Sequence, residues 1–173
     1  MRKVTYGGGV SLDGYLAGPD EAMDWLLWSA DAAKISAESW RGVDTMLLGR
    51  KTFDFAVRNN HPLKQPGVRT ILFSRSLEKA SPEVELVRGE ATEFVRQLKN
   101  TAGGDIILMG GGELAASLIA SGLVDEIGFT VHPILLGGGV PALPAIGCRL
   151  ELELDETRPI ARGCVFVRYK VPL

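Results

Sequence analysis

Cysteine and histidine are scarce. The chain carries two of each in 173 residues, and none of the four belongs to a C-x-x-C pair or to a ligand cluster. No structural zinc site is expected. Cys148 and Cys164 read as reduced core thiols or as one bridge, and the first is the commoner arrangement in an otherwise ordinary domain. No apolar run approaches the roughly 18 residues of a membrane span. The opening Met1-Arg2-Lys3-Val4-Thr5-Tyr6 lacks an apolar stretch ending in a small-residue cleavage site, so no signal peptide is read there. Neither sign of charge dominates: 19 Lys and Arg stand against 21 Asp and Glu, a formal net of −2. Bulk attraction to nucleic acid or to a membrane surface is not expected. These absences predict a soluble cytoplasmic domain.

Apolar residues, by contrast, make up 46% of the chain, and glycine contributes 21 residues. The length predicts one domain over residues 1–173, able to bury roughly 70% of its extended-chain surface. Val4 to Val10 reads as a first strand, although Gly7, Gly8 and Gly9 are costly there unless something approaches the backbone closely. A turn-rich stretch follows over 13–20. Ser29 is a cap for a helix reaching about Trp40. Strands are predicted at 43–48, 70–73, 84–87 and 105–109. Helices are predicted from about Arg50, over 90–99 with the stripe Ala91, Phe94, Val95 and Leu98, and from Leu114 to a stop at Gly122. Thereafter only strands are predicted, at 127–131, 150–154 and 165–171. Glu151-Leu152-Glu153-Leu154-Asp155 alternates acids with leucines, as a half-exposed antiparallel strand would. The pattern defines a three-layer α/β domain whose mostly parallel sheet ends in antiparallel C-terminal strands.

Parallel sheets bind ligands beyond the carboxyl ends of their strands. Three such ends carry hydroxyls, cations or bare glycine: Gly49-Arg50-Lys51-Thr52, Ser74-Arg75-Ser76 and Gly110-Gly111-Gly112-Glu113-Leu114. Two of them lead into helix starts, where free N–H groups and the dipole favour phosphate. Arg50 and Lys51 at a helix start oppose that dipole, which makes sense beside an anion. The third segment also reads as a plain tight turn. Its G-x-G-x-x-A match comes too late in the chain for a dinucleotide fingerprint, with His132 where an acid would be required.

The motifs Ser11-Leu12-Asp13-Gly14-Tyr15, Leu47-Leu48-Gly49-Arg50-Lys51-Thr52-Phe53, Met109-Gly110-Gly111-Gly112 and Leu135-Leu136-Gly137-Gly138-Gly139 follow one another in a familiar register. Together they resemble the dihydrofolate reductase-like superfamily. Within it, the chain is most similar to small bacterial proteins related to the reductase domain of riboflavin biosynthesis. The resemblance implies an NADPH-binding α/β domain that often forms homodimers. It places Gly49, Arg50, Lys51 and Thr52 by the cofactor's phosphates, and Ser74 and Arg75 by the adenosine 2′-phosphate. Gly110, Gly111, Gly112, Glu113 and Leu114 would hold the pyrophosphate, while Gly9, Val10, Leu16 and Ala17 would line the nicotinamide.

The implied activity is hydride transfer from NADPH to a small heterocycle or a ribosylamino-pyrimidine, most specifically reduction of 5-amino-6-(5-phosphoribosylamino)uracil. Dihydrofolate reduction is the alternative, and an NADPH-binding protein without efficient catalysis is a third reading. Met109 stands where the riboflavin reductases often carry Glu, and Tyr15 where they often carry a basic residue. Asp31 falls near the first-helix carboxylate that dihydrofolate reductases use to assist protonation, and it also reads as a first-turn acid favoured by the dipole. Asp13, Asp24 and Trp25 are the candidate substrate residues. His132 is expected to be structural or solvated, and Trp25, Trp28 and Trp40 are candidates for a pocket wall or for packing.

Overall fold

The computed structural model of the protein describes residues 1–172. Along the chain the elements are β1 (Val4–Ser11), β2 (Tyr15–Ala17), α1 (Ala30–Ser39), β3 (Val43–Gly49), α2 (Arg50–Arg58), β4 (Arg69–Phe73), β5 (Glu85–Val87), α3 (Ala91–Lys99), β6 (Asp105–Gly110), α4 (Gly112–Ala120), β7 (Glu126–His132), β8 (Val140–Pro141), β9 (Glu153–Pro159) and β10 (Val165–Lys170). Eight strands form one sheet in the order β5-β4-β3-β6-β1-β7-β10-β9, and β2 pairs with β8 in a separate ribbon. The strands from β5 to β7 run parallel. β10 joins β7 antiparallel, and β9 joins β10 antiparallel.

Alternation along the central strands supplies both faces of the sheet. Leu47, Ile71, Ile106 and Leu108 are buried in one cluster with Val95 of α3 and Leu118 of α4. Met46, Leu48, Leu72 and Ile107 are buried in a second cluster with Phe53 of α2. Each such aliphatic side chain stabilises the fold by about 1.5–3 kcal/mol when fully removed from water. Gly122, at φ 65°, ends α4 in the left-handed conformation that glycine adopts without penalty.

Buried polar groups clamp the amino ends of the strands. Arg2 donates to Asp44, to Thr45 Oγ1 at 2.6 Å and to Gly104 O at 2.6 Å. Lys99 of α3 donates to Asp125 and to Leu123 O, the latter at 3.2 Å. The opposite, carboxyl ends of the strands are left to loops and helix starts.

Three sequence expectations change. The turn-rich stretch over 13–20 contains β2, which the 133–147 loop holds through β8. The strand expected at 150–154 lies at Glu153–Pro159 instead. Its leucines do not form a buried face: Leu150, Leu152 and Leu154 are all exposed, because β9 is the edge of the sheet. Cys148 is an exposed free thiol rather than a core residue, while Cys164 is free and buried.

Candidate active site

The carboxyl ends of β3 and β6 lie side by side, and each leads directly into a helix. Gly49 caps α2 and Gly111 caps α4, and neither cap offers a side-chain acceptor to the first amides. At α1, by contrast, Ser29 Oγ accepts from the Ala32 N–H at 3.1 Å. The leading N–H groups of α2 and α4 therefore remain available. The two turns touch: a β-carbon at Gly49 would fall 3.1 Å from Gly111 N and 3.6 Å from Leu114 Cβ. Gly110 has φ 132°, and a β-carbon there would fall 2.9 Å from Thr52 Oγ1. The loop carrying β8 closes behind them, with Pro141 O 2.8 Å from the corresponding position at Gly112.

Charged and hydroxyl groups surround this double turn. Arg50 Nε is held by the Asp54 carboxylate at 2.7 and 2.8 Å. Lys51 Nζ meets Glu113 Oε1 at 2.8 Å, linking α2 to α4, and this contact raises the lysine's affinity for its proton. Ser74 is buried at the end of β4, and its Oγ accepts from the Leu77 N–H at 3.2 Å. Arg75 is exposed, and among the described residues it has no hydrogen-bond or ion-pair partner.

A cavity of about 340 Å³ lies between α1 and the sheet, and Met109, next to Gly110 on β6, is part of its wall. Its floor is backbone-rich: Gly7, Gly8 and Gly9 of β1, with Gly128 and Thr130 of β7. Its roof is Leu26, Leu27, Trp28, Ile35 and Trp40, and Phe166 and Arg168 of β10 close one side. The charges around it are mostly paired. Lys3 meets Glu126 at 2.7 Å, Glu38 meets Arg158 at 3.0 Å, and Arg168 meets Asp155 at 2.8 Å.

The candidate residues separate into groups. Gly9 faces this cavity, whereas Val10, the next residue of the strand, lines a second hollow with Ser11, Asp13 and Tyr15. Leu16 packs against the main core and Ala17 is buried, both on β2. Asp13 accepts from Ser11 Oγ at 2.6 Å and from the Gly137 N–H at 2.8 Å, so it pins the 133–147 loop to β1. The Ser11 hydroxyl, and then the loop amides, hold its carboxyl below the usual range.

Asp31 is exposed and absent from the cavity wall, and its Oδ2 accepts from the Ala161 N–H at 3.0 Å. Asp24 is exposed and also lies off that wall. Trp25 is buried edge-on against His132, with ring centroids 5.3 Å apart, leaving Trp28 and Trp40 as the indoles of the wall. His132, read from the sequence as structural or solvated, is buried and lines the cavity. Ile35, Thr130, Phe166 and Arg168 had no distinguishing signal in the sequence beyond ordinary amphipathic alternation.

The three layers, the sheet order and the double glycine turn define a dihydrofolate reductase-like domain. The fold is shared with the dihydrofolate reductase of Enterococcus faecalis, solved with NADP(H) and RAB-propyl, at a TM-score of 0.72 and 16% identity over 99% of this chain and 97% of that one. The chain belongs to the RibD C-terminal domain family, which matches residues 2–166. It is 29% identical to the uncharacterized protein YyaP of Bacillus subtilis (strain 168), over 98% of this chain and 95% of that protein. It is 27% identical to the riboflavin biosynthesis protein RibD of Mycobacterium tuberculosis (strain CDC 1551 / Oshkosh), over 83% of this chain and 46% of that longer protein. Among the described residues, no helix is long and apolar enough to cross a membrane.

Proposed function

We propose that the protein is an NADPH-dependent reductase of a small heterocyclic substrate, most specifically of a ribosylamino-pyrimidine of the riboflavin pathway. The observation that carries this reading is the meeting of two helix starts without side-chain caps, at Gly49 and Gly111, beside Arg50, Lys51, Ser74 and Arg75. Bare amides at two helix starts suit a pyrophosphate. A cation such as Arg75 suits the extra 2′-phosphate. When bound, the cofactor would supply the hydride.

The chain's own part is to position and to dry the site. The residues Gly110 to Leu114 would hold the pyrophosphate, and the glycine-lined cavity would take the ring. Trp28, Ile35 and Trp40 cover the cavity and displace water, so that catalysis comes chiefly from orientation. Of the two substrate classes, the pyrimidine is favoured over dihydrofolate because Asp31 is occupied with the Ala161 amide instead of facing the cavity. A homodimer belongs to this reading, and exposed Leu154 on the edge strand β9, with Leu150 and Leu152 just before it, supports it.

The decisive experiment is direct NADPH binding, followed by NADPH oxidation with 5-amino-6-(5-phosphoribosylamino)uracil and dihydrofolate in parallel. Turnover of the pyrimidine alone is expected. NADPH binding without turnover of either compound would leave the third reading, a binding protein. Failure to bind NADPH would remove the reductase reading altogether.

A further inference from the structure

His132 is one of only two histidines in the chain, and its ring is held from several sides. Nδ1 accepts from the Leu27 N–H at 3.2 Å, and the Cys164 thiol lies 3.5 Å from the same nitrogen. Trp25 packs edge-on against the ring at an interplanar angle of 89°. A ring nitrogen that accepts from an amide carries no proton, so in the neutral imidazole the proton sits on Nε2.

Nε2 has no hydrogen-bond partner among the described residues. No solvent-sealed side-chain nitrogen or oxygen there lacks one, so Nε2 opens on the cavity that His132 lines. Its position is next to Gly9: a β-carbon on that glycine would fall 3.3 Å from Nε2 and 2.6 Å from Leu26 Cδ2. The histidine is only 4% exposed. An almost buried donor aimed into a hollow with an aromatic and aliphatic roof has only cavity water to accept from it until a ligand supplies an acceptor.

We propose that His132 is a ligand-contacting residue whose Nε2–H donates a hydrogen bond to a carbonyl oxygen on a planar ring bound in this cavity. The proposal rests on the reading of this cavity as the place where a ring-bearing ligand binds. The carbonyl has two sources, the carboxamide of the cofactor's nicotinamide or a lactam carbonyl of the substrate ring. A neutral N–H donor suits either. It also explains why the Leu27 amide matters, since that amide fixes which nitrogen carries the proton.

The test uses the full chain labelled with ¹⁵N-histidine, with His61→Gln to assign the two rings. In the free protein the His132 Nε2 is expected at the protonated-nitrogen shift. NADPH and 5,6-diaminouracil are then added separately, and the probe that moves the Nε2 signal identifies the source of the carbonyl. His132→Asn keeps an acceptor near the Leu27 amide and loses the Nε2 donor. His132→Gln places an N–H near the Nε2 position. For the probe that moves the signal, Asn is expected to weaken binding about 3- to 10-fold, and Gln to stay within about 2-fold of the parent protein. An unprotonated Nε2, a signal unmoved by both probes, or Asn binding as well as the parent each overturns the proposal. Should NADPH bind with neither probe moving the signal, the cofactor reading stands and the histidine contact falls. If neither probe binds, both fall.

Discussion

Lys51 and Glu113 join the first turns of α2 and α4 across the mouth of the double glycine turn, with Nζ 2.8 Å from Oε1. Both side chains are largely exposed, at 81% and 77%, so the pair adds little to stability. Its effect is electrostatic, because a carboxylate lies where the reductase reading places phosphate. Glu113→Gln should tighten NADPH binding about 2- to 5-fold and leave the melting temperature unchanged. Weaker binding, followed by fluorescence titration, would move the phosphates away from this mouth.

Cofactor choice should depend more on Arg75 than on Arg50. The guanidinium of Arg50 already serves Asp54. Arg75→Ala is expected to weaken NADPH about 10- to 150-fold while barely changing NADH, as the loss of a charged hydrogen bond would. Arg50→Ala should do less. Equal losses for the two cofactors would exclude a 2′-phosphate contact at Arg75.

Tyr6 ties the sheet to the loop that backs the glycine turn. Its hydroxyl donates to Ala142 O at 2.6 Å, and burial pushes its pKa well above the ordinary value. Tyr6→Phe should cost about 1–3 kcal/mol in urea unfolding, because the buried Ala142 carbonyl loses its partner. Limited proteolysis should then cut more readily within 133–147. Unchanged stability would show that the carbonyl finds water instead.

The fold was readable where local chemistry and burial agree. Ser29 ahead of an Ala-rich segment marks α1, and the apolar runs at 43–48 and 105–109 are central strands bounded by glycine. The edge was not readable. At β9 the leucine alternation suggested one register, yet the observed one brings Asp155 to Arg168 at 2.8 Å and Glu156 to Arg168 at 2.9 Å. At an edge strand, ion pairs and backbone pairing with β10 outweigh an apolar face that nothing covers. The glycine turns of the candidate site were legible because backbone freedom is written in the residue itself. Of the cavity wall, Trp28 and Trp40 were candidates, whereas Ile35, Phe166 and His132 were not, since they meet only through long-range packing.

Acid should destabilise the protein through His132. Burial lowers its pKa below the ordinary 6.5, so the folded state prefers the neutral ring. The unfolded chain then binds more protons between the two values. The associated stability is present above about pH 6.5 and is lost as pH falls towards the folded value. Cys164 is the titratable group in contact with the ring, and burial raises its thiol pKa, so it stays uncharged there. Urea midpoints measured from pH 7.5 to 5.5 should fall in the parent and flatten in His132→Gln. Parallel slopes would assign the loss to other groups.

Two glycines of the cavity floor have almost no freedom to change. A β-carbon at Gly7 would fall 1.8 Å from Gly128 O, and one at Gly9 would strike Leu26. Substitution at Gly7 or Gly9 disturbs the packing before it reshapes the hollow. Divergence towards a new substrate is therefore easier through the side chains of the 26–28 segment and the inward side of α1 than through these two glycines. A mutational library confined to Leu26, Leu27, Trp28, Ile35 and Trp40 should yield altered selectivity in folded proteins, whereas one at Gly7 and Gly9 should yield mostly misfolded chains.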